Sequence, residues 1–142
     1  MGDVQPTEST VEVEETLFDR VGGHATFRTL IHVFFDGVKG DPELAALYPQ
    51  NDWDGAENRL LLFFEQYWGG PMTYSRTRGA PMLKMRHMPH KITERMARKW
   101  ATCMQRAIDT IDLGLEDELL LRDYVERACQ YLINADEAPP TQ

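Results

Sequence analysis

Four stretches of the chain repeat apolar residues at helical spacing. In HATFRTLIHVFFDGV the apolar positions Phe27, Leu30, Ile31, Phe34, Phe35 and Val38 step at +3, +4, +7, +8 and +11. That draws one broad helical face, with polar residues on the other side. In DGAENRLLLFFEQYWGG the set Leu60, Phe63, Phe64, Tyr67 and Trp68 repeats the spacing, and Gly69-Gly70-Pro71 ends it. Ile92, Met96, Trp100, Cys103, Met104, Ala107, Ile108 and Ile111 form a third stripe. Leu121, Tyr124, Val125, Ala128 and Leu132 form a fourth. Shorter pieces lie between them. TLFDRVGG predicts a brief helix closed by Gly22-Gly23. DPELAALYP predicts a turn or two of helix that ends at Tyr48-Pro49. Asp41 is its cap, and Pro42 takes the first position, where a missing N–H costs nothing. Gly69 to Pro81 is rich in Gly, Pro, Ser, Thr and Arg and reads as loop. No segment alternates with the period of a strand. The expected class is all-α, with four main helices and a long connection between the second and third. Long connections in compact domains are usually functional or mobile.

At 142 residues the chain forms one domain. A chain of this size buries roughly two thirds of its unfolded surface. The net charge of -8 argues against nonspecific nucleic-acid binding and against an anionic membrane surface. Five of those negative charges lie in Met1–Glu15, which has no Lys or Arg, so the remainder carries -3. That acidic segment, without aromatics, reads as a disordered, solvating tail. It has neither the basic start nor the apolar run of a signal peptide. Residues 16–135 are the expected domain, and 136–142 a second tail. No segment has the apolar length of a transmembrane helix. Cys103 and Cys129 lie on separate helices, outside any CxxC, and are expected as free thiols in a reducing cytoplasm.

The chemistry centres on residues 81–92, PMLKMRHMPHKI, where His87 and His90 stand three apart around Pro89. His24 and His32 read as surface residues. Three readings of the remaining pair stay open: a two-histidine metal site, one ligand beside a bystander, or a polar turn. Zinc normally takes three or four protein ligands. Here both cysteines fall on core-like stripes, and no HExxH occurs. The alternative is a single ligand over an apolar cavity. Three Trp, five Tyr and six Phe supply aromatics that could line a flat cofactor. An aromatic stripe at helical spacing is more often plain core. Periodicity alone leaves the choice open.

The residue order resolves more. Val21-Gly22-Gly23, Phe34-Phe35, Leu47-Tyr48-Pro49, the block AENRLLLFFEQYWGGPMTYSRTRGAPMLKMRHMP from Ala56 to Pro89, Trp100 and Cys103-Met104 occur in series. In this series the chain resembles the group II (O-type) truncated hemoglobins from about Leu17 to Asn134. The resemblance implies a globin-like 2-over-2 helical sandwich with a short A helix and an F helix reduced to a loop and a turn. It implies heme b (iron protoporphyrin IX), with His87 as the proximal iron ligand. Its second ring nitrogen should donate to a carbonyl, which fixes the tautomer. Trp100 and Tyr48 match the distal hydrogen-bond donors, and also the residues of any catalysis. Ala56 stands where full-length globins place a distal histidine. Phe35, Leu60, Phe63, Phe64 and Met104 are expected against the heme, and Arg59, Lys84 and Arg86 at its propionates. Two positions depart from the family. His90 replaces an aromatic, and Phe35 replaces a tyrosine. The loss of one ligand-facing hydroxyl predicts weaker or faster-releasing oxygen binding. The resemblance implies oxygen, carbon monoxide or nitric oxide as ligand. It extends to nitric oxide dioxygenase or peroxidase-like activity, a reductase partner and a homodimer. The alternative is a heme-free helical interaction or sensor domain.

Overall fold

The computed structural model describes residues 15–137. The expected acidic tail, apart from Glu15, and residues 138–142 lie outside them. Eight helices, and no strand, occur among the described residues. They are α1 (Leu17–Arg20), α2 (His24–Lys39), α3 (Pro42–Ala45), α4 (Trp53–Tyr67), α5 (Thr73–Arg78), α6 (Leu83–His87), α7 (Glu94–Asp109) and α8 (Leu115–Leu132). None is long and apolar enough to cross a membrane.

The four long helices are those the periodicity predicts. All six apolar positions of the first stripe are buried on α2. α2 packs against both α4 and α7, and α7 packs against α8. Two helices therefore lie over two, around one core. The α2–α7 contact is close at Gly37, where an added Cβ would stand 3.3 Å from Cys103 Sγ. α3 begins as its sequence predicts: the Asp41 carboxylate accepts from the Glu43 and Leu44 amides at 3.1 and 3.2 Å. The face it shares with α7 is tied by ion pairs of Glu43 with Arg95 and of Asp41 with Lys99.

Both double glycines end helices in the same way. Gly70 N–H reaches back to Glu65 O at 2.7 Å, and Gly69 N–H to Gln66 O at 3.2 Å. Gly23 N–H reaches Phe18 O, and Gly22 N–H reaches Asp19 O. This paired closure requires a left-handed residue just past the helix end. Gly69 and Gly22 supply it at φ +97° and +113°. The two closures also meet: the Phe18 amide donates to Trp68 O at 3.0 Å, and Phe18 lies against Gly70.

The structure corrects one element. Part of the expected Gly69–Pro81 loop is a helix, α5. Thr and Ser have weak helix propensity, so the sequence signal was poor. Tertiary contacts override it. Tyr74 is buried edge-on to Phe63, with ring centroids 5.7 Å apart. The Gln66 side chain accepts from Ser75 N–H at 2.9 Å and donates to Ser75 Oγ at 2.7 Å. The start of the expected C-terminal tail is also held. Glu137 accepts from the Arg95 amide at 2.8 Å, at the open N-terminus of α7.

Candidate functional site

A cavity of about 640 Å³ opens between α2, α4, α6, α7 and α8. That is the size of a site for an organic cofactor. His87 lines it from α6. The His87 Nδ1–H donates to Leu83 O at 2.7 Å, one turn back on the same helix. A carbonyl only accepts, so the proton belongs on Nδ1 and the Nε2 lone pair is left for a metal.

The short helix is held at both ends. The Arg86 guanidinium donates to Pro81 O and Arg78 O, both at 2.7 Å, and to Ala80 O at 3.2 Å. From the end of α8, Asn134 Nδ2–H donates to His90 O at 2.9 Å and His87 O at 3.2 Å. Its Oδ1 accepts from Ile92 N–H at 2.8 Å. Asn134 thus fixes the His87 segment across 47 residues of chain. Sequence reasoning missed this role, because a single Asn at a helix end carries no signal of its partner. His90 also lines the cavity. Its ring centroid is 6.4 Å from that of His87, and it is exposed.

Phe35, Tyr48, Ala56, Leu60, Phe63, Phe64 and Trp100 all line the same cavity. Aromatic contacts lock the group. Phe35 stands edge-on to Tyr48 at 5.5 Å, and Phe34 edge-on to Trp100 at 5.7 Å. Trp53, which sequence reasoning passed over, stacks on Tyr48 at 5.5 Å. Burial pushes the Tyr48 phenol well above its ordinary value, the Cys103 thiol adds to this, and the Trp100 indole partly offsets it. Tyr48 therefore keeps its proton and remains a donor.

The charged and outer positions divide. Arg59 lines the cavity, with its guanidinium donating to Asp52 at 3.1 Å. Arg86 lines it too, but its N–H groups hold loop carbonyls. Arg78, unforeseen, also stands at the lining. Two expected residues lie outside it. Lys84 is turned onto the Tyr131 ring, 4.9 Å from its centroid. Met104 is fully buried in the core, on a turn of α7 beyond the cavity. His24 is exposed as expected, yet its Nδ1–H donates at 2.6 Å to Glu65, a carboxylate buried in α4.

Residues 16–132 match the family of bacterial-like globins. The group 2 truncated hemoglobin YjbI of Bacillus subtilis is 32% identical over 116 residues, covering 82% of this chain and 87% of that one. The chain belongs to the group II truncated hemoglobins. Solved structures agree. A thermostable hemoglobin from Thermobifida fusca superposes with a TM-score of 0.82 at 42% identity, over 84% of this globin and 98% of that one. A truncated oxygen-avid hemoglobin from Bacillus subtilis does so with 0.79 at 29% identity, over 84% and 100%. The observed two-over-two sandwich, short first helix and five-residue α6 are those of this fold.

The residues present fit the cofactor that a globin implies. One neutral imidazole presents a free nitrogen, the walls are aromatic and aliphatic, and Arg59 and Arg78 at the lining are residues able to pair with carboxylates.

Proposed function

We propose that this globin binds heme b through His87 and takes up oxygen, or another diatomic gas, in the space bounded by Trp100, Tyr48 and Phe35. The observation that carries it is the Leu83 carbonyl on His87 Nδ1, which leaves the opposite nitrogen unprotonated and free to bind a metal. Bound heme would supply an iron centre that exchanges electron density with a small ligand. The chain's own residues do the rest. Leu83, Arg86 and Asn134 hold the imidazole in place. Arg59 and Arg78, both at the cavity lining, would pair with the propionates. The apolar wall of Ala56, Leu60, Phe63 and Phe64 excludes water. Tyr48 O–H and Trp100 N–H offer donors to a ligand that gains negative charge. The oxygen-avid Bacillus subtilis relative supports oxygen as the ligand. Nitric oxide oxidation or peroxide reduction are secondary activities within this reading, and they draw on the heme rather than on further residues.

Absorption spectra of the purified protein test it. Ferric, ferrous, oxygen and carbon monoxide forms should each show a Soret band. His87→Ala should lose tight heme binding, whereas His90→Ala should keep it. A protein that folds fully and refuses hemin would sink this reading in favour of a heme-free helical domain. Equal loss from both substitutions would revive a two-histidine site.

A further inference from the structure

The basic residues are unevenly distributed over the chain. From Gln66 to Thr93 there is no Asp or Glu, while Arg76, Arg78, Lys84, Arg86 and Lys91 all fall in that stretch. The rest of the chain therefore carries -13, against +5 here. None of these five pairs with a carboxylate among the described residues, while seven of the other ten basic residues do. The α5–α6 loop and α6 are joined within this stretch. Arg86 ties the α5–α6 loop to α6 through three carbonyls, and Arg76, Lys84 and Lys91 are exposed around it. Methionines stand among the cations: Met72, Met82, Met85 and Met88 are 49%, 53%, 54% and 73% exposed. Methionine and arginine are enriched at protein interfaces, and exposed methionines suit a surface that adapts to a partner. Arg78 and Arg86 belong both to this surface and to the cavity lining.

We infer that this lip is the docking site of a small acidic electron-transfer protein, of the flavin or iron–sulfur kind. The inference rests on the heme reading above. Arg78 and Arg86 line the heme cavity, so a redox protein seated on this surface lies beside the heme and can pass it an electron. One electron leaves the partner's reduced cofactor and is taken up at the ferric iron, which becomes ferrous. The partner is left oxidised by one electron. Charge complementarity selects an acidic protein. The predominantly acidic remainder repels it and so steers it to the lip. An extended anionic lipid surface fits less well, because it would also face the acidic remainder of the molecule.

The test uses the full-length holoprotein and a bacterial flavodoxin as probe, with binding read by NMR titration and calorimetry. Binding should be tighter at about 10 mM than at about 300 mM salt, where screening is several-fold stronger. Arg76→Glu with Lys91→Glu should weaken it about tenfold or more, mainly through the association rate. Met85→Gln with Met88→Gln should weaken it with little change in salt dependence. Arg28→Glu with Lys39→Glu, outside the lip, should weaken it far less than the lip reversals, although the change in net charge is the same. Each variant is first checked for its Soret band, so loss of heme is separated from loss of docking. A holoprotein that loads heme and shows no flavodoxin binding, or binds with Arg76 and Lys91 reversed as tightly as before, overturns the inference and leaves the heme reading intact. So does sedimentation with phosphatidylglycerol vesicles that the same reversals abolish, if flavodoxin does not bind. Binding that appears only after residues 1–14 are removed would assign the lip to the chain's own acidic segment instead.

Discussion

Phe35 puts an apolar ring in the cavity wall beside Tyr48. It is buried, lines the cavity and stands at a steep angle to Tyr48 with ring centroids 5.5 Å apart, so a hydroxyl on this ring is expected near Tyr48. A hydrogen bond to a charge-bearing group contributes roughly 1.5–3 kcal/mol, and 1.4 kcal/mol is tenfold in an equilibrium constant. Phe35→Tyr should therefore slow oxygen release about tenfold or more in stopped-flow measurements. An unchanged or faster rate would mean that the ring does not face the ligand. A second residue-scale consequence lies at His24. Its N–H is the partner of the buried Glu65 carboxylate. A buried acceptor left unsatisfied costs about 1–3 kcal/mol. His24→Ala should lower the unfolding free energy measured in urea by about 1–3 kcal/mol, and His24→Gln should recover part of it.

Among the elements, the closure of α4 is the most sensitive joint. A Cβ at Gly70 would lie 2.8 Å from the Phe18 ring and 2.9 Å from Glu65 O. Backbone forms one side of that contact, so the strain cannot relax through a side chain alone. Gly70→Ala should destabilise by about 1–3 kcal/mol in urea unfolding. It should also loosen α1 from the end of α4, read as faster amide exchange at Phe18, whose N–H is bonded to Trp68 O. The glycine pair was legible in the sequence as a helix stop. That it is also the seat for Phe18 was not, because the contact joins segments about fifty residues apart. α5 was missed for a related reason. Its residues have little helical preference of their own, and Gln66 and the Phe63–Tyr74 contact decide its shape.

Across the whole molecule, ion pairs join the α3 edge to α7. The Arg95 guanidinium, assisted by Lys99 and opposed by desolvation, holds the Glu43 carboxyl at about 2, below its ordinary 4.5. Lys99 likewise lowers Asp41. Because the folded-state value is depressed, this contribution is complete above the unfolded value and is lost as the pH falls from about 4.5 toward 2. The wild-type urea midpoint should fall more steeply between about pH 5 and about pH 3 than that of Glu43→Gln. Parallel slopes would show that the pair is too well solvated to matter.

The sequence alone determined the four long helices, their inward faces, the glycine stops and the family likeness that singled out His87. Those features are local or serial: helical period is read within two turns, and a motif is read along the chain. Only the tertiary structure decided which side chains share the cavity. It moved Lys84 onto Tyr131 and Met104 into the core, and it brought Trp53, Arg78 and Asn134 to the site. Side-chain direction depends on how helices cross, and a crossing is a property of two segments at once. The same holds for the imidazole. Its type and place were in the sequence, but the carbonyl that leaves its free nitrogen for a metal became visible only once α6 had folded.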